Sequence, residues 1–251
     1  MPEHILFEQT DGVAVITLNR PQVLNALSMP LMGEVDAALK QCEDDDGVKA
    51  IVITGAGEKA FSAGADIHEM AGMAQEELDR RQANRGEITW RLATCRKPVI
   101  GALNGLAYGG AAVLASTFDI RIGCERTKFR FLAATYGRIN STWTLPVLVG
   151  MPMAKELLFS GRVVEAAEAK EIGLLNRLVP AAVLMVTARE LALLIAKNTP
   201  AMVQGIKELL NEGIGAPWSE RMRMERDILS SRLKPAHPRE GFKEFLERKP
   251  R

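Results

Sequence analysis

Phe61-Ser62-Ala63-Gly64-Ala65-Asp66-Ile67 decides the fold of this chain, together with a later stretch, Asn104-Gly105-Leu106-Ala107-Tyr108-Gly109-Gly110. Each stretch follows a β-like apolar run and precedes a helix-like one. A turn of this kind presents backbone N–H groups at the end of a strand, where they can hold a polarised carbonyl oxygen. The two turns together predict an oxyanion hole.

The helix predicted after the second turn begins Gly109-Gly110-Ala111-Ala112-Val113-Leu114-Ala115 and carries no acid or base in its first turns. General acid and base catalysis requires a titratable side chain near the reacting atoms. The sequence therefore predicts the groups that bind a polarised oxygen, but it shows no acid or base in this helix that could transfer a proton.

Composition restricts the class of protein. With 251 residues and 47% hydrophobic content, the chain is long enough for one large core with an extension. Lys plus Arg number 32 and Asp plus Glu 31, so the balanced charge argues against nucleic-acid binding. The three cysteines lack C-x-x-C spacing, which argues against a disulfide framework and a zinc site and favours a reducing compartment.

The sequence gives no sign of a membrane partner or a secretion signal. The first residues lack the basic region and apolar core of a signal peptide. The most apolar later stretch, residues 178–196, contains Arg189 and Glu190 and is typical of an amphipathic core helix. We therefore expect a cytoplasmic protein.

The chain begins as alternating strands and helices. Residues 5–9 and 13–19 flank Asp11-Gly12, a strong hairpin signal. A helical face from Leu31 to Cys42 precedes a buried strand at 50–54. Further strands are predicted at 99–103 and 118–122, and helical connections between such strands imply parallel pairing.

The character of the sequence becomes helical beyond Phe131. Helices are predicted at 152–160, 165–172, 181–197, 200–211 and 217–233, several of them starting beside a proline. We expect a core over residues 1–197 and a helical region over residues 198–251.

A resemblance to a known family rests on collinear segments, at residues 18–21, 24–27, 60–67, 97–110, 119–120, 166–173 and 240–249. On these the chain resembles the crotonase superfamily, the enoyl-CoA hydratase/isomerase family. The resemblance implies an α/β fold, a spiral of β-β-α units followed by helices that form a trimer, often doubled to a hexamer. It also implies acyl-CoA substrates, with CoA as part of the substrate and no separate cofactor.

The resemblance also implies roles for individual residues. The oxyanion donors fall on the backbone N–H groups of Ala65 and Gly110. The residues at positions that line the CoA pocket are Ala63, Asp66 and Ile67, and those in the C-terminal helix that closes over CoA are Phe245 and Lys249.

The chain departs from the family where the hydratases carry two glutamates. Val113 and Ala133 stand at those positions, so both general acid/base carboxylates are missing. The following loop, residues 136–143, is shorter than usual, and Ser141 falls near the position of a family dehalogenase's nucleophile. Within this loop Tyr136 is a candidate proton donor and Trp143 a candidate wall of the acyl pocket.

Other polar residues near these motifs have structural interpretations. Asp66 is placed to cap the helix that it begins. His68 and Glu69 follow as weaker catalytic candidates, with Asn140, Ser141 and Thr142 in the later loop. Trp90 lies near where some relatives place a catalytic histidine, and it cannot transfer a proton.

Three functions fit these features. The first is an enzyme, a lyase or isomerase, that stabilises a thioester enolate and is not an ordinary fatty-acid hydratase. The second is decarboxylation of a malonyl-type CoA, which needs enolate stabilisation but no base. The third is a non-catalytic subunit that binds CoA thioesters. We identify no metal-ligand cluster and no nicotinamide fingerprint in the sequence.

Overall fold

The computed structural model describes residues 3–247, which fall into two compact units divided between Lys197 and Asn198. The first unit contains ten strands, β1 Ile5–Thr10, β2 Val13–Leu18, β3 Ala50–Gly55, β4 Ala60–Ser62, β5 Val99–Leu103, β6 Leu106–Tyr108, β7 Ile120–Gly123, β8 Lys128–Arg130, β9 Val163–Glu165 and β10 Arg177–Leu178. Its helices are α1 Met29–Asp44, α2 Ile67–Met70, α3 Gln75–Thr94, α4 Gly110–Ser116, α5 Leu145–Val149, α6 Met151–Ser160, α7 Ala166–Glu171 and α8 Leu184–Ala196. The second unit contains α9 Pro200–Glu212, α10 Trp218–Ser231, α11 Pro238–Gly241 and α12 Lys243–Leu246.

The predicted hairpin is confirmed. β1 and β2 pair antiparallel with Thr10 opposite Val13, which leaves a two-residue turn. Both turn residues, Asp11 and Gly12, have positive φ values of 53° and 80°. An Asp-Gly pair adopts this conformation readily, and its twist matches that of the flanking strands.

The larger sheet has six strands in the order β1-β2-β3-β5-β7-β10, and every pairing after the first is parallel. β3 is buried along its whole length. Ile51 and Ile53 point into a core shared with α1 and α3, whereas Val52 points into a second core shared with α8. Helices therefore cover both faces of this sheet, as parallel strands require.

The smaller sheet positions the functional turns. Its order is β4-β6-β8-β9, with the first three strands parallel and β9 antiparallel. Successive strands of the chain alternate between the sheets, with β3, β5 and β7 in the larger one and β4, β6 and β8 in the smaller. This alternation, with helices following each pair of strands, confirms the predicted α/β spiral of β-β-α units.

Three predicted elements differ from the structure. Residues 163–165 and 177–178 form β9 and β10 inside a region predicted to be purely helical. β7 starts at Ile120, two positions after the prediction, because Phe118 N–H still bonds to Ala115 O at the end of α4. Residues 181–183 form a 3₁₀ turn, so that α8 starts at Leu184.

The second unit is helical over its described residues. α9 lies close to the end of α10 at Gly205, where a β-carbon would be 3.8 Å from the Ile228 side chain and would collide with Leu233, which follows α10. Apolar side chains remain exposed along α9, the turn that follows it and α10, namely Ile206, Leu210, Ile214, Trp218 and Met222. Across residues 3–247, no helix has both the length and the apolar character needed to cross a membrane.

Candidate active site

Two turns meet at the carboxyl ends of two neighbouring strands of the smaller sheet. β4 and β6 are neighbours and parallel, so the residues that follow them lie side by side. Ala65 follows β4, and Gly110 follows β6 as the first residue of α4. The two stretches that the sequence singled out are thus brought together by strand pairing.

The amide nitrogens of Ala65 and Gly110 are close to each other. A β-carbon on Gly110 would lie 3.4 Å from Ala65 N, and one on Gly64 would lie 2.9 Å from Gly110 N. Within residues 3–247, neither of the two N–H groups donates a hydrogen bond to a protein acceptor. Two adjacent unpaired amide donors are the arrangement that binds a polarised carbonyl oxygen.

The first turn is held by hydrogen bonds on both sides of Ala65. Ser62 Oγ accepts from Gly64 N–H at 3.1 Å. Leu27 N–H donates to Gly64 O at 2.7 Å, and Asp66 N–H donates to Leu27 O at 3.4 Å. Because its neighbours are bonded to Leu27 and its own N–H is not, Ala65 keeps that donor free.

The second turn depends on Gly109. Its φ of 51° and ψ of −118° are sterically unfavourable for residues with a β-carbon. Its N–H donates to Arg130 O at 2.8 Å, and its carbonyl accepts from Val113 N–H at 3.2 Å. These bonds fix the start of α4 and with it the position of the Gly110 amide.

Two buried asparagines, whose role the sequence analysis did not identify, anchor the strands below the turns. The Asn25 amide nitrogen donates to Ala56 O and Ala60 O at 2.9 and 3.0 Å. The Asn104 amide nitrogen donates to Gly55 O and Gly57 O at 2.8 and 2.7 Å. A buried side-chain amide within apolar surroundings needs such hydrogen-bond partners. An asparagine inside an apolar run of the sequence could therefore have indicated this anchoring role.

Asp66 caps α2, as predicted, and is also paired. Its Oδ1 accepts from Glu69 N–H at 3.3 Å, and its Oδ2 lies 2.9 Å from Arg20 Nη1. Burial alone would raise the pKa of this carboxyl, but the hydrogen bonds from Arg20 and Glu69 outweigh it and hold the pKa below its ordinary value. The side chain is thus a structural carboxylate, and its predicted contact with CoA stays a prediction.

The neighbouring candidates His68 and Glu69 differ in their surroundings. His68 is exposed. Glu69 is half-buried and already has two partners, since it accepts from Arg81 Nη1 at 2.7 Å and from Met29 N–H at 3.1 Å. Glu69 therefore serves to hold α2 against α3 and the start of α1.

Val113 and Ala133 stand at the two positions where the sequence analysis expected the hydratase glutamates. Val113 is half-buried and one helical turn after Gly110. Ala133 is buried, and the preceding Leu132 would lie 3.9 Å from a β-carbon on Gly109. Neither of these apolar side chains can transfer a proton.

The loop after β8 contacts α3 at two points. The Trp143 ring packs 5.8 Å from that of Trp90, at an angle of 56°. Arg138 Nη1 donates to Gln82 Oε1 at 2.7 Å. Tyr136 is 63% exposed, and within residues 3–247 its hydroxyl makes no hydrogen bond. The structure thus gives Trp143 a packed position, whereas the proton-donor role of Tyr136 stays a prediction.

The predicted CoA-binding residues lie in different parts of the chain. Ala63 is half-buried in the first turn, and Ile67 is exposed at the start of α2. Phe245 is exposed on α12 in the second unit, and Lys249 lies outside the described residues. In the described part of the chain, no group of three His, Cys, Asp or Glu side chains is placed to hold a metal ion.

Comparison with known proteins gives the family. The sequence model of the family described as Enoyl-CoA hydratase/isomerase matches residues 8–251. The Short-chain-enoyl-CoA hydratase of Clostridium acetobutylicum is 36% identical over 250 residues, covering 98% of this chain and 95% of that protein. The Crotonyl-CoA hydratase of Syntrophomonas wolfei is 35% identical over 252 residues, covering 98% and 96%.

Solved structures agree with this assignment. The crystal structure of the Enoyl-CoA Hydratase from Bacillus anthracis superposes with a TM-score of 0.93 at 34% identity, covering 98% of this chain and 96% of that one. The chain belongs to the enoyl-CoA hydratase/isomerase family, within the crotonase superfamily.

Proposed function

We propose that this protein is an acyl-CoA enzyme that stabilises a thioester enolate between the backbone N–H groups of Ala65 and Gly110. The observation that supports this proposal is the pair of adjacent amides, which have no acceptor within residues 3–247. The thioester oxygen accepts from both donors, and they stabilise the negative charge that develops on it. Removing one such donor typically lowers the rate by about 10²–10³-fold.

We further propose that the protein is not an ordinary fatty-acid hydratase, although the relatives named above are hydratases. Val113 and Ala133 offer no carboxylate to activate water or to protonate the product. Positioned general acid/base groups contribute about 10²–10⁴-fold in rate. Hydration of a simple enoyl-CoA is therefore expected to be slow, with Tyr136 as the proposed proton donor.

The apolar character of positions 113 and 133 also favours a second candidate, decarboxylation of a malonyl-type CoA. In this reaction the bond to the carboxylate carbon breaks, carbon dioxide leaves, and the electron pair remains as the enolate. The amide pair stabilises that enolate, and a proton from Tyr136 or His68 completes the product. A binding subunit without turnover is the non-catalytic alternative, and it predicts affinity alone.

Three further features belong to this proposal. CoA enters as part of the substrate, with no separate cofactor. Its proposed contacts are Ala63, Asp66, Ile67, Phe245 and Lys249. The exposed apolar side chains of α9 and α10 support assembly into a trimer or hexamer. The three buried cysteines form no disulfide, which supports a reducing compartment such as the cytoplasm.

The experiment is mass spectrometry of 2-enoyl-, 3-enoyl- and malonyl-type CoA thioesters after incubation with the purified protein. A Gly110→Pro variant removes one amide donor at a helix position that tolerates proline. Water gain, double-bond migration or carbon dioxide loss that falls at least about a hundredfold in the variant supports the proposal. Equal turnover by both proteins would contradict it, and binding without turnover would favour the non-catalytic alternative.

A further inference from the structure

Arg85, on α3, has no carboxylate partner among residues 3–247. Its Nη2 lies 3.5 Å from Leu27 O, and its Nε is buried without a hydrogen bond. Other arginines of the same helix are paired, Arg81 with Glu69 and Glu77 and Arg91 with Asp36. Within residues 3–247, no Asp or Glu oxygen lies within 4.0 Å of the Arg85 guanidinium.

The surroundings of Arg85 leave its charge poorly compensated. Burial lowers the pKa of its guanidinium, and the nearby cations Arg138 and Arg81 lower it further, against a partial offset from Glu69. The Glu69 carboxylate already accepts from Arg81 and from Met29 N–H. Desolvating a cation without a counter-ion is unfavourable, and an incoming anion would relieve that cost.

This cation lies next to the proposed oxyanion hole. Leu27, whose carbonyl faces Arg85, forms the bridge that holds Ala65. The Leu27 side chain would also lie 3.7 Å from a β-carbon on Gly110. Leu27 therefore contacts both the guanidinium of Arg85 and the turns that carry the amide pair.

A second group of polar atoms without hydrogen-bond partners lies in the loop of residues 138–143, which contacts α3 near Arg85. Arg138 and Trp143 contact Gln82 and Trp90, which lie on either side of Arg85 in the sequence of α3. Between those two loop residues, Ser141 is 1% exposed, has a φ of 57°, and has a buried Oγ without a hydrogen bond. The Oδ1 atom of Asn140 is also buried and unpartnered. A strained backbone with orphaned polar atoms is typical of a ligand site.

We propose that Arg85, assisted by the Ser141 hydroxyl, binds a carboxylate on the acyl group, so that the substrate is an acyl-CoA whose acyl chain carries a carboxylate. This inference rests on the proposed function, because it assumes that a thioester occupies the amide pair. The planar guanidinium donates to carboxylates in a fixed fork geometry, and a hydroxyl supplies a further donor. The phosphates of CoA are the competing source of an anion, and the test separates the two.

The test measures, by titration calorimetry, the binding of malonyl-, succinyl- and glutaryl-CoA, of uncharged acyl-CoA thioesters of matching length, and of free CoA. At least one dicarboxylic thioester should bind about 10- to 100-fold more tightly than its uncharged match, as expected for charge-assisted hydrogen bonds. Arg85→Met should abolish this preference and leave the affinity for free CoA unchanged. Arg85→Lys, which keeps the charge without the fork, should retain part of it.

Arg91→Met is the matched control, since Arg91 lies on the same helix and is paired with Asp36. It should leave the carboxylate preference intact. Thermal melting should show Arg85→Met at least as stable as the original protein, because the substitution removes a half-buried charge that has no carboxylate partner among residues 3–247.

Three results would overturn this inference. The first is the absence of a preference for dicarboxylic thioesters, and the second is a preference that survives Arg85→Met. The third is an equal loss of affinity for free CoA in that variant, which would assign Arg85 to the CoA phosphates. Failure to bind any acyl-CoA would overturn the proposed function as well, whereas binding of uncharged thioesters without a preference would overturn the carboxylate subsite alone.

Discussion

Gly64 lies directly against Gly110, so that a β-carbon on Gly64 would be 2.9 Å from the Gly110 nitrogen and closer still to Tyr108 O. Side chains do not fit at such distances, and the φ of 92° at Gly64 also disfavours any residue with a β-carbon. The close approach of the two turns, and hence of the two amide donors, depends on the absence of a side chain at this position.

Gly64→Ala is therefore expected to separate the turns. We predict a loss of thioester turnover of about 10²–10³-fold, accompanied by a loss of about 1–3 kcal/mol in the free energy of unfolding. Steady-state kinetics and urea denaturation measure the two effects. Gly33→Ala is the matched control, since Gly33 lies exposed in α1 with open space around it. That variant should gain about 0.5–1 kcal/mol in stability and keep its activity.

Val113→Glu with Ala133→Glu supplies the two carboxylates that the site lacks. Because the resemblance places the hydratase glutamates at these two positions, we predict that hydration of crotonyl-CoA rises by about 10²-fold or more. The rate of loss of the enoyl absorbance measures it. A double variant with glutamines at the same two positions controls for size and polarity. If the original protein already hydrates crotonyl-CoA faster than the double-glutamate variant, the assignment of positions 113 and 133 is wrong.

Asp66 should make stability depend on acid pH. The folded pKa of its carboxyl lies below the ordinary value of 3.8, so its contribution is complete above that value and is lost as the pH falls through the folded pKa. Asp66→Asn keeps the helix cap but leaves Arg20 without a counter-ion. We predict a loss of about 1–3 kcal/mol at pH 7 that shrinks towards zero in acid. Denaturation from pH 7 to pH 2 measures this, and a pH-independent difference would contradict it.

The cysteines should resist thiol reagents in the folded protein. All three, Cys42, Cys95 and Cys124, are buried thiols that form no disulfide. Burial raises the pKa of the Cys42 thiol from 9.0 to about 12, which suppresses its reactive thiolate. Since the unfolded thiol ionises first, this group also lowers stability as the pH rises above 9.0. Ellman's reagent should label the native protein slowly and the denatured protein fully, and rapid native labelling would contradict the burial.

Local patterns were sufficient for much of the fold. The Asp11-Gly12 turn, the apolar run of β3 and the helical face of α1 are each encoded within a few neighbouring residues. β9 and β10 were missed because they are only three and two residues long. Such short strands form through pairing with β8 and β7, which a local pattern does not contain.

The candidate site likewise contains features that local sequence patterns predict and features that depend on tertiary contacts. The two turns are visible as motifs because they lie at the ends of strands, although their contact depends on the pairing of β4 with β6. No sequence pattern marked Arg85 as a functional residue, because α3 contains several arginines and most of its residues are exposed. Arg81 and Arg91 have carboxylate partners, whereas Arg85 has none among residues 3–247. This difference depends on tertiary packing, which a local sequence pattern does not contain.

The most direct measurement is isotope-edited infrared spectroscopy of butyryl-CoA labelled with ¹³C at the thioester carbonyl and bound to the protein. Two donated hydrogen bonds polarise a carbonyl, so the stretching band should move to lower wavenumber on binding and move back part of the way in Gly110→Pro. A bound band at the position of free butyryl-CoA in water, or one that Gly110→Pro leaves unchanged, would contradict the assignment of Ala65 and Gly110 as the oxyanion hole.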